Sequence, residues 1–195
     1  ANAFDVRNEM PPKGIRLLSV GRYCTAKNFD NVPDICARLL QKGLDVYWYL
    51  IGFGSDESLI RQKITEAGME NRVIMLGKKD NPYPYIKACD LYVQPSRYEG
   101  NCVAVHEAQM LGKPVVITRY ATSASQLEED VDGLRFGFLT CYDFYFYEAF
   151  AAIAGKKDQV GIQELDAIVA GILQNIMEQN PSADRRCGSG AAGKS

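Results

Sequence analysis

The chain has 195 residues, 47% of them hydrophobic and 24% charged, the ordinary composition of a folded globular protein with a sizeable core. Its formal net charge of -2 supplies no surplus of positive charge for a polyanion, which argues against nucleic acid as a partner. No apolar run approaches the roughly 18 residues that a membrane span needs, and the N-terminal ANAFDVRNEM carries no signal-peptide pattern.

The predicted elements alternate along the chain. IRLLSV (15–20) reads as a strand and is followed by a helix around 30–42; VYWYLI (46–51) is followed by a helix around 56–68. RVIML (72–76) precedes a short helix near 83–88, LYVQ (91–94) precedes a helix near 102–111, and VVIT (115–118) closes the series. Continuously apolar strands alternating with helices predict a parallel sheet covered on both faces, a doubly wound, Rossmann-like α/β domain. Residues 1–14 read as a linker and 15–140 as the Rossmann-like unit. Beyond Gly133, the aromatic-rich LRFGFLTCYDFYFYEAFAAIAG and the later IQELDAIVAGILQNIMEQN both read as helical, which makes 141–180 a helical extension packing on the sheet. Residues 181–195 read as a flexible tail.

Six cysteines (Cys24, Cys36, Cys89, Cys102, Cys141 and Cys187) occur without a C-x-x-C pair, and His106 is the one histidine, so no metal site is expected. Cys36 and Cys89 lie in apolar helical surroundings, as reduced thiols do, which suits a cytoplasmic protein.

In doubly wound sheets ligands bind at the carboxyl ends of the strands, so the loops that follow strands carry the functional reading. After the first strand, VGRYCTAKNFD places Gly21, Arg22 and Lys27 at the turn into a helix, two cations that suit a phosphate, with Asn28 or Asp30 as a helix cap. Solvated surface charge is the plainer alternative for that loop alone. LIGFGSDES offers a Gly-x-Gly turn before a helix capped by Ser55 or Asp56, too short for a dinucleotide fingerprint.

SRYEGNCVAVHEAQML is more specific. A loop runs into a helix whose free amides near Asn101, Cys102 and Val103 form an anion site. Side chains on a helix lean toward its N-terminus, so Glu107 in the second turn can reach toward the same ligand, where a carboxylate suits a diol. Glu99 faces that ligand from the preceding loop. Two carboxylates around an anion site suit a phosphate joined to hydroxyl-rich groups on both sides, which describes a nucleotide sugar. The structural alternatives are pairing of Glu107 with Arg97, Lys113 or Arg119, and stabilisation of the helix start by Glu99. For His106 a partly buried structural role is favoured over catalysis.

The ordered set VGR-x4-K, LIGFG, NRVIMLG, ACDLYVQPS-x2-EG-x6-HEAQMLGKPVV and the DG at 132–133 resembles the C-terminal donor-binding half of retaining glycosyltransferases of the GT-B fold, family 4, and its middle is similar to bacterial members that build capsular or other cell-surface polysaccharide. The resemblance implies that Arg22 and Lys27 neutralise the donor diphosphate and its leaving nucleotide, that Glu99 contacts the transferred sugar, and that Glu107 binds the ribose. It also implies phosphate contacts near Cys102 and Val103, a base wrapped by Gly77 and Lys78, and no bound metal or other cofactor. The donor is then a UDP- or GDP-sugar and the acceptor a saccharide or glycolipid. The acceptor is held by a separate N-terminal domain, through which the protein associates peripherally with the inner face of the membrane. The 195 residues leave no room for that domain, so the chain alone is expected to bind nucleotide without efficient transfer.

Two features depart from the family pattern: EGNC stands where E-G-F-G is usual, so that a side chain at Cys102 can crowd the phosphate, and roughly 25 aromatic-rich residues follow DGL. The terminal GSGAAGKS fits G-x4-G-K-S, but the chain ends at Ser195, where the mechanism of that motif needs a helix, so it reads as tail. A non-enzymatic flavodoxin-like nucleotide-binding or interaction domain and a nucleotide-sugar epimerase half remain as alternatives.

Overall fold

The structure, a computed structural model, describes residues 5–118 and 120–123 together with the backbone of two further strands. Five parallel strands, β1 (Ile15–Val20), β2 (Val46–Ile51), β3 (Val73–Gly77), β4 (Leu91–Gln94) and β5 (Val115–Ile117), stand in the order β3-β2-β1-β4-β5. Four helices connect them: α1 (Val32–Gln41), α2 (Glu57–Glu66), α3 (Tyr83–Ala88) and α4 (Val103–Met110).

The continuous apolar strands bury side chains on both faces, as the alternation of a strand requires. Leu17, Val46, Trp48, Leu50, Leu91, Val93 and Val116 pack on α1 and α2, whereas Leu18, Tyr49, Ile51, Tyr92, Val115 and Ile117 pack on α3 and α4. The amphipathic spacing Val32, Ile35, Cys36, Leu39 gives α1 its buried stripe. A small polar knot ties the central strands: Trp48 Nε1 donates to Ser19 Oγ at 2.9 Å, and Ser19 Oγ donates to the Val93 carbonyl at 2.5 Å. At the opposite end of the sheet Arg16 makes a fork with Asp90, at 2.9 and 2.7 Å, holding β1 beside the start of β4.

Strand numbering runs outward in one direction from β1 to β3 and in the other from β4 to β5. The order therefore reverses between β1 and β4, and the crevice outside their carboxyl ends is the topological switch point at which open α/β sheets bind ligands.

Two parts of the sequence reading are corrected. Residues Gly133–Arg135 and Tyr145–Tyr147 lie in the stretch read as helical, yet they form strands β6 and β7, with β7 antiparallel to both β5 and β6. The sheet thus runs past residue 140. The physical reason lies in composition, since a Tyr-Phe-Tyr run fits a pleated surface better than a helix. The rest of 141–180, including the expected helix over IQELDAIVAGILQNIMEQN, and the tail 181–195 fall outside the described residues. Of the expected caps, Asp56 takes the position before α2 but makes no capping bond, whereas Asn31, also without one, stands before α1 in place of Asn28 or Asp30. Asn28 and Asp30 are used elsewhere.

Among the described residues no helix is long and apolar enough to cross a membrane, and no group of His, Cys, Asp and Glu is placed to hold a metal ion. Cys24, Cys36, Cys89 and Cys102 are free thiols. Burial pushes the thiols of Cys36 and Cys89 up to about 12, so both stay protonated and inert in the folded chain.

Candidate functional site

The loop after β1 and the loop after β4 are stitched across the switch point. Asn28 adopts a left-handed conformation, φ 61°, and its Nδ2 donates to the Pro95 carbonyl at 2.9 Å. Asparagine tolerates that conformation better than most residues, and here the turn aims the amide at the neighbouring loop. From the other side, the Arg97 guanidinium makes a fork with Asp30 at 2.9 and 2.8 Å and donates to the Thr25 carbonyl at 2.7 Å. The Arg97 amide bonds the Ala26 carbonyl at 2.8 Å.

Inside this frame Lys27 Nζ meets Glu99 Oε1 at 2.6 Å, with side-chain exposures of only 16% and 9%. Gly21 makes room for that lysine, because a Cβ there would lie 2.9 Å from Lys27 Cε. Glu99 is further held by Ser96 Oγ, which donates to Oε1 at 2.5 Å, and Ser96 is backed by Gln94 Nε2 at 2.9 Å. Tyr92 donates its hydroxyl to Gln94 Oε1 at 2.8 Å, and Thr122 Oγ1 donates to the Glu99 carbonyl at 2.8 Å. All the hydrogen bonds that other described residues donate to the Glu99 carboxylate fall on Oε1. A partly buried carboxylate held by one cation and a hydroxyl is fixed in place.

Cys102 precedes α4, which starts without a side-chain cap. Its side chain is buried in the α3/α4 face of the core, with Sγ 3.8 Å from Lys27 Nζ, and so packs inward. Burial raises the thiol above its ordinary range, partly opposed by the Lys27 charge. Val103 is exposed, and Asn101 Oδ1 lies 3.2 Å from His106 Nε2, whose other nitrogen is 3.2 Å from Gln109 Oε1.

Of the cations considered for it, Glu107 bonds with neither Arg97 nor Lys113. Its Oε1 accepts the Tyr83 hydroxyl at 3.0 Å, an interaction that raises the tyrosine above its ordinary range. Arg97 is committed to Asp30 and Lys113 donates to the Cys89 carbonyl at 2.8 Å, while Arg119 lies outside the described residues. Arg22 is exposed at the end of β1. Gly77 turns with φ +69°, and Lys78 Nζ lies over the Phe53 ring at 5.7 Å, with Phe53 54% exposed.

The structure therefore joins Gly21, Lys27, Glu99 and Cys102 in one constellation and places Arg22, Asn101, Val103, Glu107, Gly77 and Lys78 on the same carboxyl edge. Sequence reasoning missed Gln94, Ser96, Tyr83 and Phe53. A signal existed for Gln94, a polar residue ending an otherwise apolar buried strand; Ser96 and Tyr83 gave none. A cavity of about 420 Å3 lies elsewhere, between the N-terminal segment and α3, lined by Val6, Arg7, Lys87 and Leu111 among others. It shares Tyr83 with the carboxyl edge, and the strand-end chemistry, not this cavity, defines the candidate site.

The fold is a Rossmann-like α/β unit whose carboxyl edge gathers the candidate ligand-binding residues. Residues 2–138 match the family of glycosyl transferases group 1, and the chain belongs to that family. It is 33% identical over 105 residues to the lipopolysaccharide core biosynthesis glycosyltransferase LpsE of Rhizobium meliloti (strain 1021), covering 53% of this chain and 29% of the relative. It is 28% identical to the amylovoran biosynthesis glycosyltransferase AmsK of Erwinia amylovora, covering 61% of this chain and 31% of the relative. The chain thus spans about a third of the length of the curated relatives it matches.

Among solved structures, HepE of Anabaena in complex with UDP and glucose is similar with a TM-score of 0.59 and 25% identity, over 91% of this chain and 51% of that one. The pneumococcal O-GlcNAc transferase GtfA, in complex with UDP and GlcNAc, has the same fold at a TM-score of 0.59 and 19% identity, over 88% of this chain and 30% of that one.

Proposed function

We propose that this chain is the donor-binding half of a retaining, family 4 glycosyltransferase that moves a hexose from a UDP- or GDP-sugar to a polysaccharide or glycolipid acceptor in the cytoplasm. The observation that carries the reading is the Lys27–Glu99 pair, part-buried at the switch point beside the N-terminus of α4. A cation next to helix amides suits a diphosphate, and a fixed carboxylate suits a sugar hydroxyl. The UDP and glucose in the similar HepE complex support the same class of ligand.

In the transfer, the bond from the anomeric carbon to the diphosphate breaks, a bond to the acceptor hydroxyl oxygen forms, the charge departs on the diphosphate, and the hydroxyl proton passes to that diphosphate or to solvent. Arg22 and Lys27 take up that charge, in the place where a metal ion would otherwise stabilise it, so no metal is required. Backbone amides near Asn101, Cys102 and Val103 hold the phosphate, and the inward packing of the Cys102 side chain leaves room for it. Glu99 holds the transferred sugar, Glu107 the ribose, and Gly77 and Lys78 the base. Acceptor binding belongs to a separate N-terminal half that closes over the donor and associates with the membrane surface. The 195-residue chain by itself binds donor without efficient transfer.

Calorimetric titration with UDP, GDP, ADP and ATP, with and without EDTA, tests this reading. Binding of UDP or GDP in preference to the adenine nucleotides is expected, unaffected by EDTA. Glu107→Ala is expected to weaken it about tenfold, the loss of a charged hydrogen-bond partner for the diol. Binding of ATP alone, or equal affinity in Glu107→Ala, would overturn the assignment.

A further inference from the structure

Residues 5–10 lie against the α3 side of the sheet, with Val6 and Met10 buried in the same cluster as Tyr85 and Ile86. Glu9 lies between these two anchors, and both of its carboxylate oxygens are engaged. Oε2 is ion-paired with Lys79 Nζ, and Oε1 accepts the Tyr85 hydroxyl at 2.8 Å. Lys79 Nζ also lies 5.3 Å from the centroid of the Tyr85 ring. These two partners come from different places: Lys79 is the second residue after β3, and Tyr85 belongs to α3.

Between them, residues 78–82 form no helix or strand. This connection carries Lys78 immediately before Lys79, and Asn81 Oδ1 accepts the Tyr83 amide at 3.1 Å. Tyr83 in turn holds Glu107 at 3.0 Å. A loop without internal ladder bonds relies on outside ties for its conformation, and one carboxylate binding both its start and the helix it enters is such a tie.

We propose that Glu9 is a positioning residue for the donor site. By bridging Lys79 and Tyr85, it fixes the corner between β3 and α3, so that Gly77 and Lys78 meet the base and Tyr83 sets Glu107 for the ribose. The inference rests on the donor-site reading above. The diphosphate contacts at Arg22, Lys27 and the start of α4 do not pass through this corner. Loss of Glu9 therefore acts on the nucleoside part of the ligand and spares the phosphate part.

The test titrates the 195-residue chain with UDP, GDP and inorganic pyrophosphate, comparing wild type, Glu9→Gln, Tyr85→Phe and Glu107→Ala, with thermal unfolding of each. Glu9→Gln is expected to weaken the preferred nucleoside diphosphate about tenfold, the effect of one charged tie lost from a preorganised site, and to leave pyrophosphate affinity unchanged. Tyr85→Phe, which keeps the ion pair, is expected to give a smaller loss in the same direction and reads the effect if Glu9→Gln does not fold. If Glu9→Gln and Tyr85→Phe bind nucleotide as wild type does while Glu107→Ala is weakened, the positioning role fails and the donor site stands. Equal losses for pyrophosphate and nucleotide would reduce Glu9 to a general structural residue. Absence of nucleotide binding by wild type would overturn the donor-site reading and this inference with it.

Discussion

Lys27→Ala is expected to weaken binding of the preferred nucleoside diphosphate about a hundredfold, equivalent to about 2.7 kcal/mol. Two effects act in the same direction. The substitution removes a cation held near the diphosphate, where charged hydrogen bonds are strong because both partners are shielded from water. It also leaves the Glu99 carboxylate, 9% exposed, with the neutral Ser96 and Gln94 as its only donors among the described residues, so a negative charge without its cation faces an anionic ligand.

The double variant Lys27→Ala/Glu99→Gln separates these effects, because it removes the stranded charge without restoring the cation. It is expected to regain thermal stability lost by Lys27→Ala but not nucleotide affinity. Arg22→Ala, at an exposed position, is expected to cost less, about tenfold, because a solvated cation is screened. Wild-type affinity in Lys27→Ala, measured by calorimetry on folded protein, would contradict the role given to the pair.

Gly52→Ala is expected to destabilise the fold by about 3 kcal/mol or more, well above the cost of an ordinary surface substitution. A Cβ at position 52 would lie 1.8 Å from the Gly21 carbonyl oxygen and 3.0 Å from the Tyr23 ring, and the backbone there has φ +156°. The obstacle is backbone, which no rotamer change can relieve. The loops after β1 and β2 would have to separate, breaking the bonds from the Gly21 amide to the Ile51 carbonyl at 2.9 Å and from the Tyr23 amide to the Phe53 carbonyl at 2.8 Å.

Two controls grade this effect in urea denaturation. Gly77→Ala meets open space but has φ +69°, so a cost of about 1 kcal/mol is expected from backbone conformation alone. Gly100→Ala meets nothing within 4 Å and has no left-handed backbone, so it is expected to be near neutral. Equal midpoints for Gly52→Ala and Gly100→Ala would mean that the two loops are not apposed as described. The Gly-x-Gly turn in LIGFG thus has a structural reason for its glycines, independent of any ligand.

The sheet was legible in the sequence because each strand is a short, continuous apolar run bounded by turn residues, as in VYWYLI before Gly52 and LYVQ before Pro95. The helix of Tyr83–Ala88, only six residues long, follows in the same alternation between two apolar strands. Spatial order was not legible. No local pattern reveals that β4 pairs with β1 instead of β3, since pairing depends on how crossovers pack and not on the strand residues themselves. The candidate site residues were legible as positions near strand ends, but their hydrogen-bond partners were not. Glu107 goes to Tyr83 because α3 brings a hydroxyl to it, whereas Arg97 and Lys113 are already engaged by Asp30 and by the Cys89 carbonyl. Asn28 and Asp30 looked like caps because those residue types favour helix starts, yet both are drawn across to the loop after β4. The strand at Tyr145–Tyr147 is hidden inside a longer apolar stretch, and the strand preference of its Tyr-Phe-Tyr run decides only once β5 is known as a partner.

The most direct test of the donor site is a titration of the isotopically labelled chain with UDP and GDP, followed through its backbone amide resonances. The largest shifts are expected at Gly21 and Arg22, at Asn101 to Val103, and at Gly77 and Lys78, three segments remote in sequence that meet only at the carboxyl edge of β1, β3 and β4. Shifts confined to the cavity beside Val6, Arg7 and Lys87, or to the terminal GSGAAGKS, would contradict the assignment of that edge as the nucleotide-sugar site.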